Sequence, residues 1–109
     1  MAEDRQFIEF PINIKLRHSD RTIILKKAIT EGSLHWMFDA IQGDGVLIIH
    51  GLDGSVYMLT EDNFIHGLQQ AIHYIPNPII DGFVNIDSID SDTADMILQL
   101  ALFNDLPFD

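Results

Sequence analysis

Apolar and polar positions alternate from Ile8 to Leu16. Ile8, Phe10, Ile12, Ile14 and Leu16 stand against Glu9, Pro11, Asn13 and Lys15, the period of a half-buried strand. Pro11 falls in the outward register and donates no ladder hydrogen bond, which places this strand at a sheet edge. Ser19-Asp20 then turns the chain into a second strand from Arg21 to Ala28, so the basic residues are expected on a hairpin and not on a helix. Next, Thr30 reads as the N-cap of a helix, with Glu31 in its first turn and Gly43 just past its end. Leu34, Met37, Phe38 and Ile41 share one side of that helix and form its buried stripe. Trp36 points the other way, beside His35 and Asp39, either packed under a loop or available as an interface anchor.

A second hairpin is expected from Val46 to His50 and from Val56 to Thr60, around the turn signal Asp53-Gly54. Thr60 caps a following helix that buries Phe64, Leu68, Ala71, Ile72 and Ile75, and Pro76 and Pro78 end it. The segments Ile29-Thr30-Glu31-Gly32-Ser33-Leu34 and Leu59-Thr60-Glu61-Asp62-Asn63-Phe64 share an apolar-Thr-Glu-x-x-apolar pattern, read either as a duplicated hairpin-helix unit or as two helix caps of the same chemistry. Phe83 to Ile86 reads as a short strand. A last helix, capped by Asp90 or Ser91, ends near Phe103. Asp92, Asp95 and Gln99 form a narrow polar strip on it, and the rest is apolar, so the helix is either central to the core or shared with a second subunit. The expected fold class is α+β, one domain over residues 1–109: two antiparallel hairpins each followed by a helix, then a short strand and a C-terminal helix.

The run from Asp87 to Phe103, with Ala94-Asp95-Met96-Ile97-Leu98-Gln99-Leu100-Ala101-Leu102-Phe103 at its centre, follows the helix start Leu59-Thr60-Glu61-Asp62-Asn63. Together they resemble small uncharacterised proteins encoded on bacterial plasmids, integrative elements and phages. Those proteins carry an Ala-Asp-x-Ile-x-Gln-x-Ala-x-Phe helix after a Leu-Thr-x-x-Asn helix start. The resemblance covers the second half of the chain and departs at Asn104-Asp105-Leu106-Pro107-Phe108-Asp109, where such proteins continue into a Gly and a short strand. It implies a mobile-element setting and no settled activity.

Charge changes the picture most. Six Lys and Arg face 17 Asp and Glu in 109 residues, a formal net charge of −11. All six cations, Arg5, Lys15, Arg17, Arg21, Lys26 and Lys27, precede Ala28; thirteen of the acids follow it. Such a field repels phosphate backbones and attracts cationic surfaces, which argues against nucleic acid as a general direct ligand and leaves only a local role for the basic N-terminal segment. No cysteine occurs, so disulfides, thiolate metal sites and cysteine nucleophiles are excluded. No segment approaches the roughly 18 apolar residues of a membrane span, and the N-terminus lacks a basic stretch before an apolar run. A cytoplasmic protein with no membrane association is expected.

Chemistry-bearing constellations are sparse. Asp87, Asp90, Asp92 and Asp95 lack the alternate ligands, central Gly and terminal Glu of an EF-hand loop, and read as a helix cap with acids at the positive helix end. His66 and His73 share a helix face but lie about 10 Å apart along it, too far to hold one ion together. Asp62 and His66 need a third ligand such as His50 to form a metal site. No phosphate loop or nucleophile motif occurs, so no catalytic residue, metal or cofactor is assigned. The expectation is a non-enzymatic acidic accessory protein that binds a basic protein partner, with carboxylates standing in for phosphates in the manner of a DNA mimic. Its binding residues are Trp36, Glu61, Asp62, Asp87, Asp90, Asp92 and Asp95. The competing expectations are a self-associating assembly protein, a homodimer through the last helix, and a small metal-dependent or hydrolytic enzyme using the histidine face.

Overall fold

A computed structural model describes residues 13–109. The elements are α1 (His18–Lys27), β1 (Met37–Gln42), β2 (Val46–Gly51), β3 (Val56–Thr60), α2 (Glu61–Ala71), β4 (Ile79–Ile80), β5 (Phe83–Val84) and α3 (Ser91–Phe103). The α+β class holds, with three α-helices, a three-stranded antiparallel sheet in the order β1-β2-β3 and a two-stranded hairpin β4-β5.

The first third departs from the expectation. Most of the first strand, with Pro11, lies outside the described residues. Within them, Lys15 bridges β5: its N–H donates to the Gly82 carbonyl at 2.8 Å and its carbonyl accepts from Val84 at 2.9 Å. The segment expected as a second strand is α1, so Arg21, Lys26 and Lys27 ride on a helix and not on a hairpin. Ser19-Asp20 reads as a turn, but it lies in the first turn of the helix, and Asp20, Ile24 and Ala28 recur at helical spacing and are all three buried. The Arg17–Asp20 ion pair at 3.7 Å spans the first turn, and Lys26 and Lys27 sit at the negative end of the helix dipole.

The helix expected over residues 30–42 does not form either. Ala28–Gly32 continues α1 as one wide π turn, with Ser33 N–H donating to the Ala28 carbonyl at 2.8 Å. Thr30 is no N-cap: its Oγ1 donates backward to the Lys26 carbonyl at 2.7 Å. The two Thr-Glu segments are therefore opposite in role, one ending a helix and the other starting one, and no structural repeat results. Residues 37–42 instead form β1, joined to β2 by Gly43-Asp44-Gly45. Gly45 has φ +72°, and Gly43 N–H donates to the Val46 carbonyl at 2.7 Å.

From Val46 onward the expected second hairpin, its helix and the last helix stand, with two differences. Helix α2 ends at Ala71, and a 3₁₀ turn over Ile72–Tyr74 carries the chain on, leaving Ile72 only half-buried. The strand expected over Phe83 to Ile86 stops at Val84 and pairs with β4, which was not expected. β2 and β3 pair from Val46↔Thr60 to His50↔Val56 around the Asp53-Gly54 turn. Thr60 caps α2, its Oγ1 accepting from Asn63 N–H at 3.1 Å, and Asp90 caps α3, its Oδ1 accepting from Thr93 N–H at 2.8 Å. Asn104, left-handed at φ 55°, closes α3 with its N–H on the Leu100 carbonyl.

Helix α3 is the axis of the core. Ala94, Ile97, Leu98, Leu100 and Ala101 are buried around it, enclosed by α1, α2 and the inner side of the sheet. Its all-round apolar surface is thus covered by its own chain, and no second subunit is needed for that purpose. Helix α2 approaches closely enough that a Cβ on Gly67 would sit 2.5 Å from the Ile97 carbonyl oxygen and 2.7 Å from the Ala101 Cβ.

Candidate functional site

The turn of residues 33–36 faces the second turn of α3, and this contact gathers the buried polar groups. Asp95 Oδ1 accepts from Ser33 Oγ at 2.7 Å and from Trp36 Nε1 at 2.8 Å; Oδ2 accepts from Gln99 Nε2 at 2.9 Å. All four side chains are buried. Gln99 Oε1 in turn accepts from Phe108 N–H at 3.0 Å, so the C-terminal tail is tied to the same knot. The Phe108 ring stacks on Trp36 at 5.0 Å with an interplanar angle of 4°, and Tyr57 and Phe103 meet the indole edge-on. Trp36 is packed under the C-terminal tail and presents no surface anchor. The expected polar strip of α3 divides: Asp92 faces solvent, while Asp95 and Gln99 face the interior.

Ser33, His35 and Asp95 are the residue types of a nucleophilic triad, but their order of contact is wrong for one. Ser33 donates to the carboxylate and not to the imidazole, and His35 Nε2 stands 3.6 Å from Asp95 Oδ2 and 3.1 Å from the Phe108 carbonyl. A serine that gives its proton to the acid has no base to activate it. The cluster fits a structural role, in which one carboxylate satisfies three buried donors. Among the described residues no group of three or more His, Cys, Asp or Glu is placed to share a metal ion.

The outer face of the sheet is different. The register places Ile41, Ile48 and Met58 in one row across the three strands, with Asp39, His50 and Val56 in the next. Phe38, at the irregularity between Met37 and Asp39, stacks on His50 at 5.6 Å. His50 Nδ1 is hydrogen-bonded to Asp39 Oδ1, which fixes both polar groups among the apolar ones. Nothing among the described residues covers this face: Phe38 is 58% exposed, Ile41 53%, Val56 55% and Met58 64%. Contiguous apolar surface left open to solvent is characteristic of interaction surfaces. Asp44 lies in the turn at one end of the sheet and Asp53 in the turn at the other. The Asp53 carboxyl is held below its ordinary pKa by the Ser55 backbone N–H.

The remaining expected binding carboxylates are divided by α1. Arg21 Nη1 pairs with Glu61, and Lys27 Nζ donates to the Ile89 carbonyl at 2.6 Å, beside Asp90. The Asp90 carboxyl lies below its ordinary pKa, chiefly because the Thr93 backbone N–H bonds to it, with a smaller contribution from Lys27. Asp62, Asp87 and Asp92 are exposed, and Asp95 is buried. Arg21 and Lys27 thus offset part of the acidic helix starts, while the three strands and their turns carry acids and neither Lys nor Arg.

No protein-family model, curated protein or solved structure matches the chain. The outer face was legible in part from the sequence: Val46-Leu47-Ile48-Ile49 and Val56-Tyr57-Met58-Leu59 are apolar at both parities, the mark of strands with two apolar faces. Phe38 and Ile41 were hidden by their assignment to a helix. The signal for β1 was Gly43-Asp44-Gly45, which suits a hairpin turn between two strand-forming runs.

Proposed function

We propose that this chain is a non-enzymatic accessory protein that holds a protein partner against the outer face of the β1-β2-β3 sheet. The partner presents apolar side chains within a Lys- and Arg-rich surround. The observation that carries this reading is the uncovered row Ile41, Ile48 and Met58, flanked by Phe38 and Val56, on a sheet without a single cation. Burial of the row supplies the affinity, and the acidic field steers the approach of a basic partner. A mobile-element setting and a cytoplasmic location accompany the proposal, the first from the resemblance of the second half and the second from the lack of cysteine. No helix among the described residues is long and apolar enough to cross a membrane.

The test is a photo-crosslinking residue placed at Met58 and, for comparison, at Gln69 on the exposed side of α2, each expressed in the native host. The expected result is one protein captured from position 58 and not from position 69, whose association with the purified chain slows roughly tenfold from about 0.05 to 0.5 M salt. Capture of a second copy of the chain from position 58, with a dimer in sedimentation, would replace the reading with self-association.

A further inference from the structure

The outer face of the sheet is not uniformly apolar. In the row next to Ile41, Ile48 and Met58, the pairing of β1 with β2 sets Asp39 beside His50, and His50 Nδ1 is hydrogen-bonded to Asp39 Oδ1. Phe38 flanks the same imidazole, its ring stacked on it at 5.6 Å with an interplanar angle of 23°. The pair lies open, with 46% of the Asp39 side chain and 30% of the His50 side chain exposed. Asp39 Oδ2 and His50 Nε2 have no hydrogen-bond partner among the described residues, and neither atom is buried.

A carboxylate only accepts, so Nδ1 carries the hydrogen of this bond, and in the neutral imidazole Nε2 is then an acceptor as well. The cluster therefore offers two acceptors and no donor. The reading proposed above covers this face with a partner, and the present inference rests on that reading. Covering takes the Asp39 carboxylate out of water, which is costly for a charge without a counter-charge. Neither Lys nor Arg occurs in the three strands or their turns to supply one, so it falls to the partner. The neighbours select its kind. A guanidinium is planar, lies against aromatic faces and is more weakly hydrated than an ammonium, so it suits a carboxylate among Phe38 and apolar strand residues better than a lysine does.

We infer that the partner meets this face with an arginine: its guanidinium pairs with Asp39 Oδ2 and lies against the Phe38 ring, while apolar residues beside it cover Ile41, Ile48 and Met58. His50 fixes the carboxylate through its bond to Oδ1. An anionic or purely apolar partner leaves Asp39 covered without a counter-charge and is selected against.

The probe is a displayed library of random linear peptides, selected on the full-length chain. The expected result is a set of peptides that share one arginine with apolar neighbours. In a synthetic peptide from that set, replacing the arginine by citrulline, which keeps the shape and loses the charge, weakens binding about tenfold or more, and replacing it by lysine weakens it less. Asp39→Asn, with a wild-type amide spectrum as the sign of folding, removes most of the preference for arginine over citrulline. Met58→Ala weakens every selected peptide by about threefold or more. The peptide replacements leave the protein untouched, so they decide the question even where a variant fails to fold. Peptides that need Met58 but share no arginine, or that bind equally well with citrulline, overturn this inference and leave the reading of the outer face standing. An acidic residue shared in place of the arginine overturns it in the same way, with His50 then a charged donor. No enrichment at all also overturns it, and peptides indifferent to Met58→Ala overturn it and count against the outer-face reading itself.

Discussion

The two faces of the β1-β2-β3 sheet are built from the same kinds of residue and meet different surroundings. On the inner face Leu47, Ile49 and Leu59 are buried against the core; on the outer face Ile41, Val56 and Met58 are more than half exposed. Leu59 and Met58 are neighbours in sequence, and the pleat of one strand sends them to opposite sides. The sheet has enough apolar surface for two covers, and the described residues supply one. The inner face therefore explains the stability of the fold, and the outer face has no such explanation. In the reading proposed above, its apolar residues are the contact for a partner.

That contrast is sharpened most by changing the two neighbours. Leu59→Ala should lower the unfolding free energy by about 2–5 kcal/mol, whereas Met58→Ala should change it by no more than about 0.5 kcal/mol in urea titrations. Equal losses would mean that the outer face is also structural. Next in size is the knot behind the inner face: Asp95→Ala leaves three buried donors without an acceptor and should cost about 3 kcal/mol, read from the same titrations. Gly67→Ala opposes two effects. Helix propensity favours alanine by about 1 kcal/mol, but the contact of α2 with Ile97 and Ala101 turns the sign, for a net loss of about 1–2 kcal/mol.

The smallest effect is at the cap of α3. Asp90→Ala should cost about 1 kcal/mol at neutral pH, while Asp90→Asn keeps the cap and costs less. Because the Asp90 carboxyl titrates below its ordinary value of 3.8, its charge stabilises the folded state above that value, and this contribution is lost as pH falls through the depressed folded pKa. Asp90→Asn should therefore flatten the acid limb of the stability profile, measured as unfolding midpoint between about pH 5 and 2. An unchanged limb would remove Asp90 from the acid response.

What the sequence revealed follows from how local each signal is. The caps Thr60 and Asp90, the Asp53-Gly54 turn and the helix α3 each depend on residues within a few positions, and all four stand. The segment from Arg21 to Gln42 was misread because its decisive contacts are remote. Ile24 and Ala28 become a helix face because they join the core that α3 organises, and Met37–Gln42 becomes a strand because β2 pairs with it. That misreading also put Phe38 and Ile41 on a buried stripe and so concealed the candidate surface. Asp95 shows the converse. A polar residue on an apolar helix reads as a solvent strip, and only the turn at Ser33 and Trp36 makes it an interior acceptor. Charge was read correctly in amount but not in place, since α1 carries cations to Glu61 and beside Asp90.

The central claim is that the outer face, and not the acidic start of α3, holds the partner. The most direct measurement is the dissociation constant of the partner captured at position 58, determined for the wild-type chain, for Met58→Asp and for the double reversal Asp87→Lys with Asp92→Lys. A charge placed in the centre of a buried apolar contact should weaken binding by roughly 30-fold or more while the unfolding midpoint stays near wild type; the double reversal should act mainly on the association rate and its salt dependence. Wild-type affinity in Met58→Asp, with binding lost in the double reversal, would contradict the claim and return the contact to the carboxylates of α3.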